Sequence, residues 1–209
     1  NQSDQKKRQF LNRLSGEITR RGIIDVLRNG IKAYPADLIL FYFTPTENNE
    51  QAKRLFDQNI FSVTRQLRYA IDASKLALDL CLFINGLPVI TIELKNHFTG
   101  QTTADAVEQY KKDRNPRELL FSFKRCIVHF AVDDQTVQFC TKLCGKASWF
   151  LPCNKGYHEG AGNPPNPEGI MTDYLWKDIL TKTKLSRIIE NYAQVVVEEN
   201  PETRKKSVK

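Results

Sequence analysis

The sequence lacks any long apolar run. Its longest apolar stretches, residues 38–43 and 80–84, are strand-sized, far short of the ~20 residues a membrane helix needs. No segment repeats and no block is of low complexity. Methionine is nearly absent: the one Met is Met171, and the chain opens on Asn1 without an initiator. The stretch from Asn1 to Arg8 is polar and charged, which is not the pattern of a secretory signal. The expectation is a processed, truncated or renumbered chain that works in the cytoplasm. Histidine is scarce, and neither His97 nor His129 has a nucleophile spaced for Ser/His/Asp or Cys/His chemistry. The 5 Cys are an odd number (81, 126, 140, 144 and 153), which points to reduced thiols rather than a disulfide framework. A phosphate-binding loop is missing too. Its nearest likeness, Cys144-Gly145-Lys146-Ala147, has Cys140 where the earlier Gly belongs and lacks the final Ser or Thr.

What is present suits one globular domain. The chain has 209 residues, 41% of them hydrophobic and 26% charged, enough to bury a core without staples. A net charge of +7 favours polyanionic partners. Apolar spacing predicts a helix over residues 4–27, and the run 38–43 reads as a buried strand ended by Pro45. A short helix is expected over 50–57, and strands over 61–69, 76–84, 88–95, 125–132 and 137–142. Between them, residues 102–113 have helical spacing. Residues 154–166 are rich in Gly, Pro and Asn and read as a long loop. Thr172 is placed to cap a helix over 173–180, and a last helix is expected over 185–196. Helices alternate with strands, two pairs of which read as hairpins. The fold class is therefore α/β, with a central mixed β-sheet flanked by helices.

The hairpin around Asn85-Gly86 carries the chemistry. Alternation puts Glu93 and Lys95 on one face of the return strand, with Ile90, Ile92 and Leu94 on the other. On the first strand it separates Asp79 and Cys81 from Leu78, Leu80, Leu82 and Ile84. A two-residue turn would set Asp79 opposite Ile92. A three-residue turn through Leu87 would set it opposite Glu93 and keep the aliphatic residues together, so the longer turn is expected. Opposed side chains lie ~4.5–5.5 Å apart at Cβ. Two carboxylates that close repel unless a cation sits between them. Magnesium takes such oxygen ligands, with waters and substrate phosphate completing the shell, and the carbonyl of Leu94 is a further candidate. Lys95 is placed to hold the attacking water or to steady charge on a phosphate. The pattern points to phosphodiester hydrolysis, although Glu-X-Lys on a strand also occurs as plain solvated charge.

Several segments resemble a known family: "RQLRY" (65–69), "LALDLCLFINGLPVITIELKN" (76–96), "DAVEQYKKDR" (105–114), "FLPCNKG" (150–156) and "TDYLWKDIL" (172–180). They are similar to the N-terminal domain of the R subunit of type I restriction enzymes, a nuclease of the PD-(D/E)XK superfamily. The resemblance runs from about residue 20 to residue 195. It implies a restriction-endonuclease-like fold and Mg²⁺-dependent cleavage of double-stranded DNA. Asp79 and Glu93 would be the metal ligands and Lys95 the catalytic lysine. It also implies partners, namely the methylation and specificity subunits, and ATP-driven motor domains whose motifs are absent here; ATP would serve those domains alone. The family's Gln falls on Gln109, as a site-adjacent or DNA-contacting residue. Its Tyr, four residues further, does not recur: Asp113 stands there and Tyr110 adjoins Gln109. Cys153 stands where the family has Phe.

Other constellations are weaker. Cys140, Cys144, Cys153 and His158 can be read as a zinc set, but scattered buried thiols are the simpler reading, since Cys140 falls in an expected strand. Arg65 and Arg68 are candidate phosphate contacts or simple surface charge. Lys111, Lys112 and Arg114 form a basic cluster that could meet DNA or merely suit the helix dipole. The expected organisation is a nuclease domain over 1–200 and a charged tail or linker over 201–209. Rival readings are a non-catalytic DNA-binding or subunit-assembly module with this fold, a stand-alone repair or restriction nuclease, and a zinc-stabilised domain.

Overall fold

The computed structural model describes residues 2–33, 36–70, 76–199 and 206–208. The N-terminal segment, expected as one helix, forms two: α1 (Gln2–Arg21) and α2 (Ile23–Asn29). They part at Gly22, whose φ of +90° suits glycine and strains other residues. The break lets Ile23, Val26 and Leu27 turn inward beside Leu14 and Ile18 of α1.

β1 (Ile31–Ala33) and β2 (Ala36–Leu38) pair antiparallel. The strand expected over 38–43 does not extend past Leu38. Side chains, not a neighbouring strand, satisfy this backbone. Asn59 accepts from the Tyr42 amide at 3.0 Å and donates to its carbonyl at 2.7 Å. Asn85 donates to the Leu40 carbonyl at 2.8 Å. Backbone groups met in this way need no ladder. Of the run, Phe41 is buried while Ile39 and Phe43 are exposed. α3 (Glu50–Asp57) follows, its first turn capped by Asn49.

The centre is a six-stranded mixed sheet. Its strands are β3 (Phe61–Arg68), β4 (Ala77–Ile84), β5 (Leu87–Leu94), β6 (Val128–Val132), β7 (Val137–Cys140) and β8 (Leu151–Pro152), in that spatial order. Every pair is antiparallel except β5 with β6. A parallel pair needs a long crossover, and this one carries α4 (Thr103–Lys112). A reciprocal capping box between Thr102 and Asp105 starts α4. One sheet face, with Ile90, Ile92, Phe130 and Val132, packs against α1, α2 and the C-terminal helical segments. The other lies under α4, where Ala106, Val107 and Tyr110 meet Ala131, Thr91 and Phe121. The architecture is the α/β class expected, a mixed sheet with helices on both faces.

The C-terminal part departs from expectation. Thr172 does not cap a helix. It is buried, and its hydroxyl donates to the Asp133 carbonyl at 2.9 Å. The chain is helical from Asp173 and widens to a π-turn over Leu175–Ile179. α5 (Lys182–Arg187) runs into a second π-turn, Ile188–Tyr192, and the helix stops there instead of reaching residue 196. Arg28 explains the stop. Its guanidinium donates at 2.7 Å to the carbonyls of both Ile189 and Ala193, groups that a longer helix would use itself. Within the expected tail, β10 (Lys206–Val208) pairs antiparallel with β9 (Val197–Glu199), while residues 201–205 and 209 lie outside the described residues. No described helix is long and apolar enough to cross a membrane.

Candidate active site

The hairpin of β4 and β5 closes through a two-residue turn. Ile84 pairs with Leu87, and Asn85 and Gly86 both have positive φ, 50° and 81°, the type I′ pattern that Asn-Gly favours. The three-residue turn expected from the sequence does not occur. Instead the register shifts between Leu82 and Phe83: Phe83 pairs with Pro88, but Leu82 pairs with Ile90. Val89 is the extra residue, and its carbonyl takes the Ile127 amide at 2.8 Å. Pro88 has no amide to give, so a ladder irregularity beside it costs little. Past the bulge Leu80 pairs with Ile92, and continuing that register sets Asp79 across from Glu93. The expected opposition of carboxylates is present, but a bulge creates it, not the turn.

Alternation also breaks at Asp79 itself. Leu80 packs with the larger cluster, whereas Leu78 joins the cluster around Tyr110. The expected row Leu78, Leu80, Leu82 and Ile84 therefore does not share one face. Opposite Asp79, Gln66 has a left-handed φ of 49°. Both Asp79 oxygens accept hydrogen bonds at 2.9 Å, one from the Gln66 side chain and one from the Leu94 amide.

Glu93 is fully buried. One oxygen, Oε1, accepts from Arg114 Nε at 2.6 Å, while the other, Oε2, meets no donor, and the nearby group is the Asp79 carboxyl. An unmet buried acceptor costs about 1–3 kcal/mol, more if charged, and calls for an explanation. Burial pushes the Glu93 carboxyl up to about 7, against the pull of Arg114 and with the help of the Asp79 charge. Lys95 lies one residue past β5. Its amide is pinned to the Val132 carbonyl at 2.8 Å and its ammonium donates to Gln109 Oε1 at 2.7 Å. Beside it a cleft opens between Leu94, Phe98, Asp133 and Trp176, with Phe98 held out in solvent on a turn capped by Asn96. Behind the site, Thr91 links the Tyr110 hydroxyl at 2.9 Å to His129 Nδ1 at 2.6 Å, all three buried.

The structure sets Asp79 across from Glu93, joins Lys95 to Gln109 two residues past Glu93, and adds Arg114, which the sequence grouped with Lys111 and Lys112 in a basic cluster. A signal was available. Ala106, Val107, Tyr110 and Arg114 follow one helical stripe, and the first three are apolar. The other basic candidates stand apart. Arg65 pairs with Leu80, whose side chain packs with the larger cluster, not on the α4 side. Arg68 is exposed at the end of β3, paired with Ala77. Lys112 pairs with Glu108 at 2.9 Å on the outer surface of α4. The Lys111 carbonyl, near the end of α4, lies close to Gly145. Among the described residues no three His, Cys, Asp or Glu are grouped to hold a metal ion. That removes the zinc set of Cys140, Cys144, Cys153 and His158; Cys140 is buried, its thiol directed to the Lys142 carbonyl.

A family model describing the type I restriction enzyme R protein N terminus matches residues 7–147. The chain belongs to this family. No curated protein and no solved structure matches it. The mixed sheet is consistent with the restriction-endonuclease-like fold expected of an R protein N terminus, and the matched region contains every residue from Asp79 to Arg114. The role of such a domain lies in a restriction system. The match ends before β8 and the C-terminal helical segments, which nonetheless cover one face of its sheet.

Proposed function

We propose that this domain hydrolyses phosphodiester bonds of double-stranded DNA, using a divalent cation held by Asp79 and Glu93. The unpartnered Oε2 of Glu93, buried across the hairpin from a second carboxylate, carries the reading. Two carboxylates are the usual protein share of a Mg²⁺ site, so the residues fit the ion, and the Leu94 carbonyl would be the third donor. When bound, the cation supplies Lewis-acid charge to the scissile phosphate and the attacking water. Lys95, steadied by Gln109, orients that water or balances charge on the phosphate. Exposed Arg68 at the strand end and the net charge of +7 would favour the DNA backbone without reading sequence. Sequence choice would fall to the specificity subunit, modification to the methylation subunit and ATP use to motor domains, in a cytoplasmic complex.

A second reading has an observation of its own. The Glu93–Arg114 pair at 2.6 Å also suits a domain that keeps the fold and only binds DNA or docks subunits. The assembled enzyme separates the two. Asp79→Ala and Lys95→Ala should each lower cleavage at least about 10²-fold while DNA binding, measured by gel shift, persists. Full cleavage by the double variant would sink the nuclease assignment.

A further inference from the structure

Arg114 follows α4 and is almost wholly buried. Each of its nitrogens has a fixed partner: Nε bonds Glu93 Oε1 at 2.6 Å, Nη1 the Tyr69 hydroxyl at 2.9 Å, and Nη2 the Ala77 carbonyl at 2.8 Å. These partners come from β5, from the residue just past β3 and from the start of β4, two residues ahead of Asp79. The guanidinium is therefore braced from three directions and cannot swing away from Glu93 without breaking all three bonds. Its plane and fork make this bracing possible, where an ammonium would act as a point charge. Glu93 consequently has one oxygen committed and one free.

That asymmetry bears on which cation fits. Mg²⁺ is small, keeps octahedral geometry and takes one oxygen from each of one or two carboxylates. Ca²⁺ is larger, takes six to eight oxygens and commonly grips a carboxylate by both. We propose that Arg114 is a specificity-determining positioning residue: by holding Glu93 Oε1, it leaves a single oxygen for the ion and biases the site toward Mg²⁺ over Ca²⁺. The proposal rests on reading Asp79 and Glu93 as the metal ligands. Arg114 touches neither substrate nor ion; it acts through Glu93.

Calorimetric titration of the full chain with MgCl₂ and CaCl₂ at fixed ionic strength tests this. Removing a buried positive charge should strengthen binding of both ions, so the readout is their ratio. In Arg114→Met the Ca²⁺-to-Mg²⁺ affinity ratio should rise at least about tenfold over wild type. Arg114→Lys keeps a cation but cannot keep three bonds, and should shift the ratio the same way, by about threefold or more, should the Met variant not fold. A merely structural Arg114 would lower the melting temperature and leave the ratio unchanged, and an unchanged ratio in a folded variant overturns the proposal. Asp79→Ala identifies the site. If wild type binds neither ion in an Asp79-dependent way, the metal-site reading fails and this one with it. If wild type binds Mg²⁺ there and the ratio does not move, only the role of Arg114 fails.

Discussion

His129 and Glu93 lie on the same face of neighbouring strands, and burial drives their titrations in opposite senses. Burial lowers the His129 imidazole to about 3, so the folded chain keeps it neutral while the unfolded chain protonates it near 6.5. A depressed histidine costs stability as pH falls: below 6.5 the unfolded state binds more protons. Burial raises Glu93 to about 7 from 4.5, so between those values the folded state binds more protons and stability falls as pH rises. In the metal-free chain the two slopes oppose each other between about pH 4.5 and 6.5. Substituting His129→Gln removes one of them. The stability of wild type relative to this variant should then fall by up to about 1.4 kcal/mol per pH unit as pH drops below 6.5. Urea melts at several pH values measure this, and parallel curves would show that His129 is not held neutral. Sequence spacing brought Asp79, Glu93 and Lys95 into view because alternation is local. Arg114 was not legible in that way, since its partners belong to other strands and a charge at a helix end has an easy surface explanation.

At the level of elements, the hairpin shows which local rules were enough. Asn-Gly marked the hairpin, although a three-residue turn was expected where its own two-residue turn forms, and the helix over 50–57 and the strands around it run close to their expected bounds. The bulge at Val89 was not legible, because it depends on Ile127 arriving from beyond the crossover. The same holds for residues 39–43, whose partners are the distant amides of Asn59 and Asn85. Asn85 is the busiest of these. Besides a left-handed φ of 50°, it accepts from the Ile60 amide at 2.7 Å and donates to the Leu40 carbonyl at 2.8 Å. Asn85→Ala should lose those bonds and strain the turn, for about 2–4 kcal/mol in all. Asn85→Gly, which restores the backbone freedom but not the bonds, should recover about 1–2 kcal/mol of that. Chemical denaturation of the pair tests the division; equal losses would mean that backbone strain contributes nothing.

For the whole molecule, the family match is narrower than the fold. A chain ended at residue 147 would lack Tyr174, Leu175, Leu185 and Ile189, each less than a tenth exposed in the full chain. Burying one such side chain contributes about 1.5–3 kcal/mol. Four of them amount to as much as the entire stability of many domains, about 5–15 kcal/mol. The truncated chain should therefore lack a cooperative thermal transition, whereas the full chain should show one by circular dichroism. A sharp melt of the short chain would mean that the C-terminal helical segments only decorate the sheet. The crossover between β5 and β6 has a different kind of consequence. It keeps every candidate residue from Asp79 to Arg114 on one uninterrupted stretch of hairpin, loop and helix. Genetic exchange between relatives, with breakpoints before Ala77 and after Asn115, would pass these side chains on together, while the recipient frame would have to supply the supports that Gln66, Tyr69 and Ile127 give here.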